Sequence, residues 1–337
     1  MSNALAEDVD ITSPHTRREH AAASEEPLRR FAPTSSPLPP DFVEELLRGD
    51  DAYNPRLAYA LAVIAGWSYS DARTLADKLK YYQLPAVSVE AIAVTNPAML
   101  IVASAFLVRS KCGRLGILSF RGTEPANAIN WLTDTDVVEK PFGKGLVHQG
   151  FFANLEAIWE VIVRTLEKAV RPEDGERRPL ERLYITGHSL GGGMAVLAAA
   201  RLILETDSRL GGLLHGIYTF GQPAVGNAAF ADEWAPQFGQ RLHRHIYAHD
   251  VVPHLPPASL GRFVHFGSER VAAAPNEPWR IAKAPLRLAR LLVVAVASSA
   301  ISFVTRRLPV LDFVPLPYSL DDHSPARYLE VSRASLP

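Results

Sequence analysis

The sequence predicts an α/β fold: a mostly parallel central sheet covered by helices on both faces. Three observations carry this expectation. Short β-rich runs recur at Leu183–Thr186, Ile217–Phe220 and His245–Tyr247, each followed closely by Gly, His or Asp. Helix-compatible segments, notably Met194–Leu204 and Ala228–Trp234, lie between them. One of the strands runs through the turn Gly187-His188-Ser189-Leu190-Gly191 directly into a small-residue helix. Strands alternating with helices are the mark of parallel pairing by crossover connections.

The remaining elements follow from periodicity. Residues 56–79 carry apolar side chains at helical spacing (Leu57, Leu61, Ile64, Ala65), and residues 151–170 repeat this with Phe151, Leu155, Ile158, Val161, Ile162 and Leu166. Leu100–Val108 and Leu115–Phe120 read as strands joined through Lys111-Cys112-Gly113 in a hairpin. A helix-like stretch closes the chain after Pro325. The first forty residues differ: six prolines sit among Ser, Glu and Arg, and little apolar surface is available to offset ordering entropy. Residues 1–40 are expected to be a disordered tail and residues 41–337 one globular domain. No apolar stretch follows Met1, and the tail is too acidic for a transit peptide, so a cytoplasmic location is the default expectation.

Composition excludes several function classes. Of 337 residues, 35 are Lys or Arg and 36 Asp or Glu, a formal net charge of −1 that argues against nucleic acid as a partner. Hydrophobic residues at 47% and charged residues at 21% are those of an ordinary globular protein. Cys112, the single cysteine, can form no internal disulfide and no zinc site by itself. Oligomeric state leaves no signature in the sequence.

The G-x-S-x-G turn is the sharpest chemical feature. A serine on a strained strand-to-helix turn needs glycines two residues to either side, where side chains would collide, and the new helix directs its first N–H groups at the exposed hydroxyl. A nucleophilic serine further needs a base, an acid that orients it and an oxyanion hole. Asp250 ends the strand-like run Arg244–His249, which sets its carboxylate on the same sheet edge as Ser189. Three histidines follow it. His254 is four residues away and hemmed by prolines, His265 reads as one face of a strand, and His323 is a loop histidine ahead of the last helix. His323 is the strongest base candidate of the three on these grounds.

In these residues and the blocks around them, the sequence resembles the class 3, or fungal-type triacylglycerol, lipase family of the α/β-hydrolase fold. Seven blocks in order carry the resemblance across roughly residues 55–330: Ser119-Phe120-Arg121-Gly122-Thr123-Glu124, Asn130–Asp134, Val147–Phe151, Gly187–Gly192, Thr219–Asn227, His249–Pro257 and Asp322-His323-Ser324. The resemblance implies Ser189 as nucleophile, Asp250 as acid and His323 as base. It implies oxyanion donors at the N–H groups of Thr123 and Leu190, and it calls for no metal or cofactor. The implied activity is hydrolysis of lipid carboxylic esters, such as acylglycerols or phospholipid acyl esters. A small-ester esterase, thioesterase or acyltransferase would use the same residues, and a non-catalytic membrane-binding protein could keep the fold.

The chain is also expected to depart from the family, with no signal peptide and, with one cysteine, no internal disulfide. Only six residues separate Thr123 from Asn130, too few for a substantial lid there. The long stretch between Asp250 and His323 instead contains Leu291–Val304, fourteen apolar or small residues. Arg287 and Arg290 flank it on one side, Arg306 and Arg307 on the other. That is short of the roughly 20 residues needed to span a bilayer. Residues 284–307 are therefore read as an apolar helix that serves as lid, acyl-chain wall or membrane-docking surface, the alternative being a core helix. His243, His245 and His249 alternate along one run without a supporting carboxylate or cysteine cluster, so metal binding is not expected of them. Tyr69 is read as a partly buried helix aromatic rather than a substrate contact, and Cys112 as an exposed thiol in the hairpin turn.

Overall fold

The computed structural model describes residues 5–9, 38–84, 86–96, 101–122, 139–172, 178–205, 208–256, 263–282 and 319–337. Thr123, the Asn130–Asp134 block, the apolar stretch 284–307 and most of the N-terminal forty residues lie outside these.

The strands are β1 (Leu5–Val9), β2 (Ala86–Asn96), β3 (Ile101–Ser110), β4 (Leu115–Phe120), β5 (Glu139–Phe142), β6 (Gly145–His148), β7 (Arg182–His188), β8 (Leu214–Phe220), β9 (Leu242–Tyr247), β10 (Ser268–Ala272) and β11 (Arg280–Ile281). The helices are α1 (Phe42–Arg48), α2 (Pro55–Trp67), α3 (Ala72–Tyr81), α4 (Gln149–Val170), α5 (Leu190–Glu205), α6 (Ser208–Gly211), α7 (Ala228–Phe238) and α8 (Pro325–Ala334). Among the described residues, nine strands form one sheet in the order β1-β2-β3-β4-β7-β8-β9-β10-β11. Its centre, β4 through β10, is parallel, and antiparallel strands extend both edges. β5 and β6 form a separate antiparallel pair.

Each face of the sheet has its own core. On one, Leu118, Ile185, Ile217 and Leu242 pack against α4, α5 and α7. On the other, Ile117, Tyr184, Tyr218 and Tyr247 pack against α1, α2, α3 and α8. The alternation Ile117/Leu118 and Tyr184/Ile185 is the two-residue period of strands buried on both sides. Helix α5 is apolar on every side up to Arg201, and its Ala195, Ala198, Ala199 and Ala200 are fully buried between neighbours.

Capping fixes where helices begin. Asn54 accepts from the N–H groups of Arg56 (2.9 Å) and Leu57 (3.1 Å), with Pro55 at the first helical position of α2. The helix expected over 56–79 is two helices. Ser68 turns its hydroxyl to Ile64 O and to Ser119 Oγ, and Asp71 accepts from Thr74 N–H at 2.8 Å to start α3. The break creates a turn that carries Tyr69. A second difference concerns the tail: Leu5–Val9, inside the stretch expected to be disordered, pairs antiparallel with Val89–Ala93 as an edge strand. A third concerns His265, which precedes β10 rather than lying in a strand.

Candidate active site

Ser189 sits between the end of β7 and the start of α5 with φ +58°, the left-handed region that costs a non-glycine residue energy. The glycines on either side are required sterically. A β-carbon at Gly187 would stand 2.3 Å from the main chain of Gly191, and one at Gly191 would stand 2.3 Å from Phe120 O. Strand pairing holds the turn in place, since Ser189 N–H donates to Phe220 O at 2.9 Å. Ser189 O accepts the first bonds of α5, from Gly192 and Gly193. The N–H of Leu190 therefore lies ahead of the helix's hydrogen-bonded ladder, where a developing oxyanion can use it. The other expected donor, Thr123, is outside the described residues, which end at Gly122. Gly122 lies against the same turn, because a β-carbon there would be 2.6 Å from His188 O.

Asp250 and His323 come together at the neighbouring strand end. His323 Nδ1 donates to Asp250 Oδ2 at 2.7 Å, and both side chains are fully buried. Asp250 Oδ1 accepts from Val252 N–H at 2.9 Å, and the Tyr328 hydroxyl of α8 donates to Oδ2. The loop before His323 is tied to the tip of β9: Ser319 N–H donates to His249 O (2.7 Å), and His249 N–H donates to Asp322 Oδ2 (3.1 Å). Ser319 Oγ accepts from the N–H groups of Asp321 and Asp322, which shapes the turn that presents His323. The other two histidines are elsewhere. His265 Nε2 donates to Pro253 O at 2.7 Å, and His254 sits in the turn Val252–His254.

Ser189 Oγ and His323 Nε2 are both buried and have no hydrogen-bond partner among the described residues. One is a donor and the other, in the tautomer that gives Nδ1–H to Asp250, an acceptor. Such catalytic bonds are often long before substrate binds and tighten with it.

Three side chains that the sequence did not assign to this site complete it. His188, next to the nucleophile, packs its ring 4.5 Å from that of His323, and Tyr69 Oη lies 2.8 Å from His188 Nδ1. Burial, and after it the neighbouring His323, hold the His188 imidazole well below the usual histidine range. Tyr328 is the third addition. Burial, then the Asp250 carboxylate, push its hydroxyl far above the usual phenol range, so it stays a donor.

His243 and His245 share one face of β9, where His243 meets Tyr53 and Tyr218 edge to face, His245 stacks on Tyr218, and His245 Nδ1 contacts Thr219 O at 3.0 Å. His249 lies exposed beyond the strand, so the three do not converge. Among the described residues, no group of three His, Cys, Asp or Glu side chains is arranged to hold a metal ion. Cys112 is partly buried, its sulfur 3.4 Å from Ser110 Oγ.

Residues 117–260, from β4 through the turn after Asp250, match the lipase (class 3) family. Over and around this segment the chain is similar to lipases of known sequence and structure. The triacylglycerol lipase OBL1 of Arabidopsis thaliana is 30% identical over 198 residues, covering 48% of this chain and 38% of that protein. The lipase of Rhizomucor miehei is 32% identical over 169 residues, covering 49% of this chain and 44% of its own. Among solved structures, lipase II from Rhizopus niveus superposes with a TM-score of 0.54 at 26% identity, over 68% of this chain and 84% of that one. The fold is thus the α/β-hydrolase fold of these lipases. The matched part of the chain spans less than half the length of these two curated relatives.

Proposed function

We propose that this protein is a serine hydrolase that cleaves carboxylic esters of lipids through an acyl-serine intermediate. The observation that carries the reading is the buried Asp250–His323 hydrogen bond beside a serine held at φ +58° on the strand-to-helix turn. His323 Nε2 takes the Ser189 hydroxyl proton as Oγ attacks the ester carbonyl carbon, and Asp250 stabilises the imidazolium. The carbonyl oxygen becomes an oxyanion held by the N–H of Leu190 and by Thr123. A lost oxyanion donor typically costs about 3 kcal/mol of barrier. Collapse expels the alcohol, which takes the proton from His323. Water then attacks the acyl-serine with the same base and releases the acid. No step calls for a metal or cofactor.

Lipid esters are the substrate class because the relatives are themselves named triacylglycerol lipase and lipase. Residues 284–307, in which arginines flank the apolar run Leu291–Val304, are proposed for peripheral contact with a membrane, with a cytoplasmic location. No described helix is long and apolar enough to cross a membrane. Residues 41–337 would form the one catalytic domain.

The test is labelling with a fluorophosphonate probe, followed by rates on p-nitrophenyl esters of rising acyl length with and without micelles. Labelling lost in Ser189→Ala and rates sustained on long acyl chains are expected. An unlabelled folded protein would sink the enzyme reading, and rates that collapse beyond short chains would sink the lipid one. Deleting 286–305 should weaken liposome binding; unchanged binding by the folded variant removes the membrane role.

A further inference from the structure

Helix α2 ends in a turn that reaches the nucleophile without belonging to its sequence motif. Ser68 Oγ, 2.7 Å from Ser119 Oγ, fixes this turn on β4, and Ser70 Oγ donates to Trp67 O at 2.6 Å. Tyr69 is carried between them. Its hydroxyl rests against Gly122, where a β-carbon would come within 2.1 Å of it, and bonds His188 Nδ1 at 2.8 Å. The rings of Tyr69 and His188 meet edge to face at 5.9 Å. On its other side, the buried His188 ring lies 4.5 Å from His323 at an interplanar angle of 35°, and its edge meets Tyr328 at 5.5 Å. The base is therefore backed by a second imidazole whose own rotation is set by a phenol.

We propose that Tyr69 and His188 are positioning residues for His323. The Tyr69 hydroxyl locks the His188 ring, and that ring is the wall holding the His323 imidazole in register with Ser189 through both proton transfers. This rests on the serine-hydrolase reading above. A neutral ring suits the task, since His323 becomes an imidazolium during each half-reaction. An aromatic face beside a desolvated cation attracts it, whereas a second imidazolium would repel it. The burial that keeps His188 neutral, reinforced by His323, provides that condition. Tyr69 is likewise raised above the usual phenol range by burial, with Arg121 opposing, and stays protonated. The Gly122 contact places the same hydroxyl against the main chain just past β4, beside the nucleophile's turn.

The test is a kinetic double-mutant cycle on a soluble p-nitrophenyl ester with Tyr69→Phe, His188→Phe and both together, each checked for cooperative unfolding. Tyr69→Phe should lower kcat about tenfold, the kinetic equivalent of one lost positioning hydrogen bond, with KM unchanged. The double variant should be no slower than the slower single one, because the tyrosine acts through the histidine. If His188→Phe does not fold, His188→Leu takes its place in the cycle. An unaltered kcat in folded Tyr69→Phe overturns the proposal, as do strictly multiplying effects in the double variant. A rise in KM at constant kcat also overturns it and makes Tyr69 a substrate contact. The underlying reading is tested separately by Ser189→Ala. Hydrolysis that survives that change removes the serine mechanism, whereas hydrolysis that depends on Ser189 but ignores Tyr69 removes only the present inference.

Discussion

His323 Nδ1 donates to Asp250 Oδ2 across 2.7 Å in a place with no access to water. Every contact the structure gives the Asp250 carboxylate is with a donor: His323 and Tyr328 at Oδ2, Val252 N–H at Oδ1. An amide in its place must turn its NH2 toward one of them. The main-chain N–H of Val252 cannot move, so the NH2 is directed at His323, which then presents the wrong tautomer to Ser189. Asp250→Asn should cost about 10⁴-fold in kcat with the fold retained. Steady-state kinetics beside circular dichroism check this, and a variant keeping a tenth of the activity would contradict the assignment.

Tyr328 gives a graded version of the same test. Its hydroxyl donates to Asp250 Oδ2 and accepts from Tyr247 N–H at 3.3 Å. Tyr328→Phe leaves the His323 contact intact, so the expected loss in kcat is about tenfold rather than thousands, with KM unchanged. It also leaves a buried main-chain N–H unsatisfied, which costs about 1–3 kcal/mol of stability. Urea unfolding of the variant separates the two effects. Full activity together with the full loss of stability would make the tyrosine a packing residue only.

The contrast between Ser189 and Tyr69 shows what was legible in the sequence and why the rest was not. The nucleophile's turn is written locally. Glycines at 187 and 191 are demanded by contacts of 2.3 Å with the main chain, so composition reveals them. The parallel core strands β7, β8 and β9 likewise announce themselves as short β-rich runs before Gly, Gly and Asp. Tyr69, by contrast, is 119 residues from the histidine it holds, and Tyr328 is 78 from its aspartate. Nothing in local spacing encodes such pairings; they depend on how α2 and α8 dock on one sheet face. The edge strands were missed for a related reason. Their pairing is through the main chain, and β1, β10 and β11 are too short or too mixed to show a period.

Ser189 and His323 have no exposed surface at all. An ester can reach the hydroxyl only in a conformation where this burial is relieved. If a lipid surface favours the open form, micelles should raise the rate of fluorophosphonate labelling by about tenfold or more, the factor available when a minor state of 0.1–10% becomes the major one. Stopped-time labelling in buffer, below and above the critical micelle concentration, measures it. Equal rates on both sides of that concentration would mean that the site opens without a surface.

His148 supplies the pH dependence. It caps helix α4, its Nδ1 accepting from Gly150 N–H at 3.1 Å, a bond that only the unprotonated nitrogen can accept. Burial lowers its pKa from 6.5 to about 4, and burial followed by the charge of Arg270 does the same for His243. Between pH 6.5 and 4 the unfolded chain takes up protons at both positions while the folded chain does not. Stability at each site is therefore fully present above pH 6.5. It falls by up to about 1.4 kcal/mol per pH unit as the pH drops toward 4. His148→Asn keeps a good cap and removes one titrating group. Its stability relative to the unaltered protein, read from urea midpoints at pH 7, 6, 5 and 4.5, should improve steadily as the pH falls. A gap that stays constant across this range would show that His148 takes no part in the acid sensitivity of the fold.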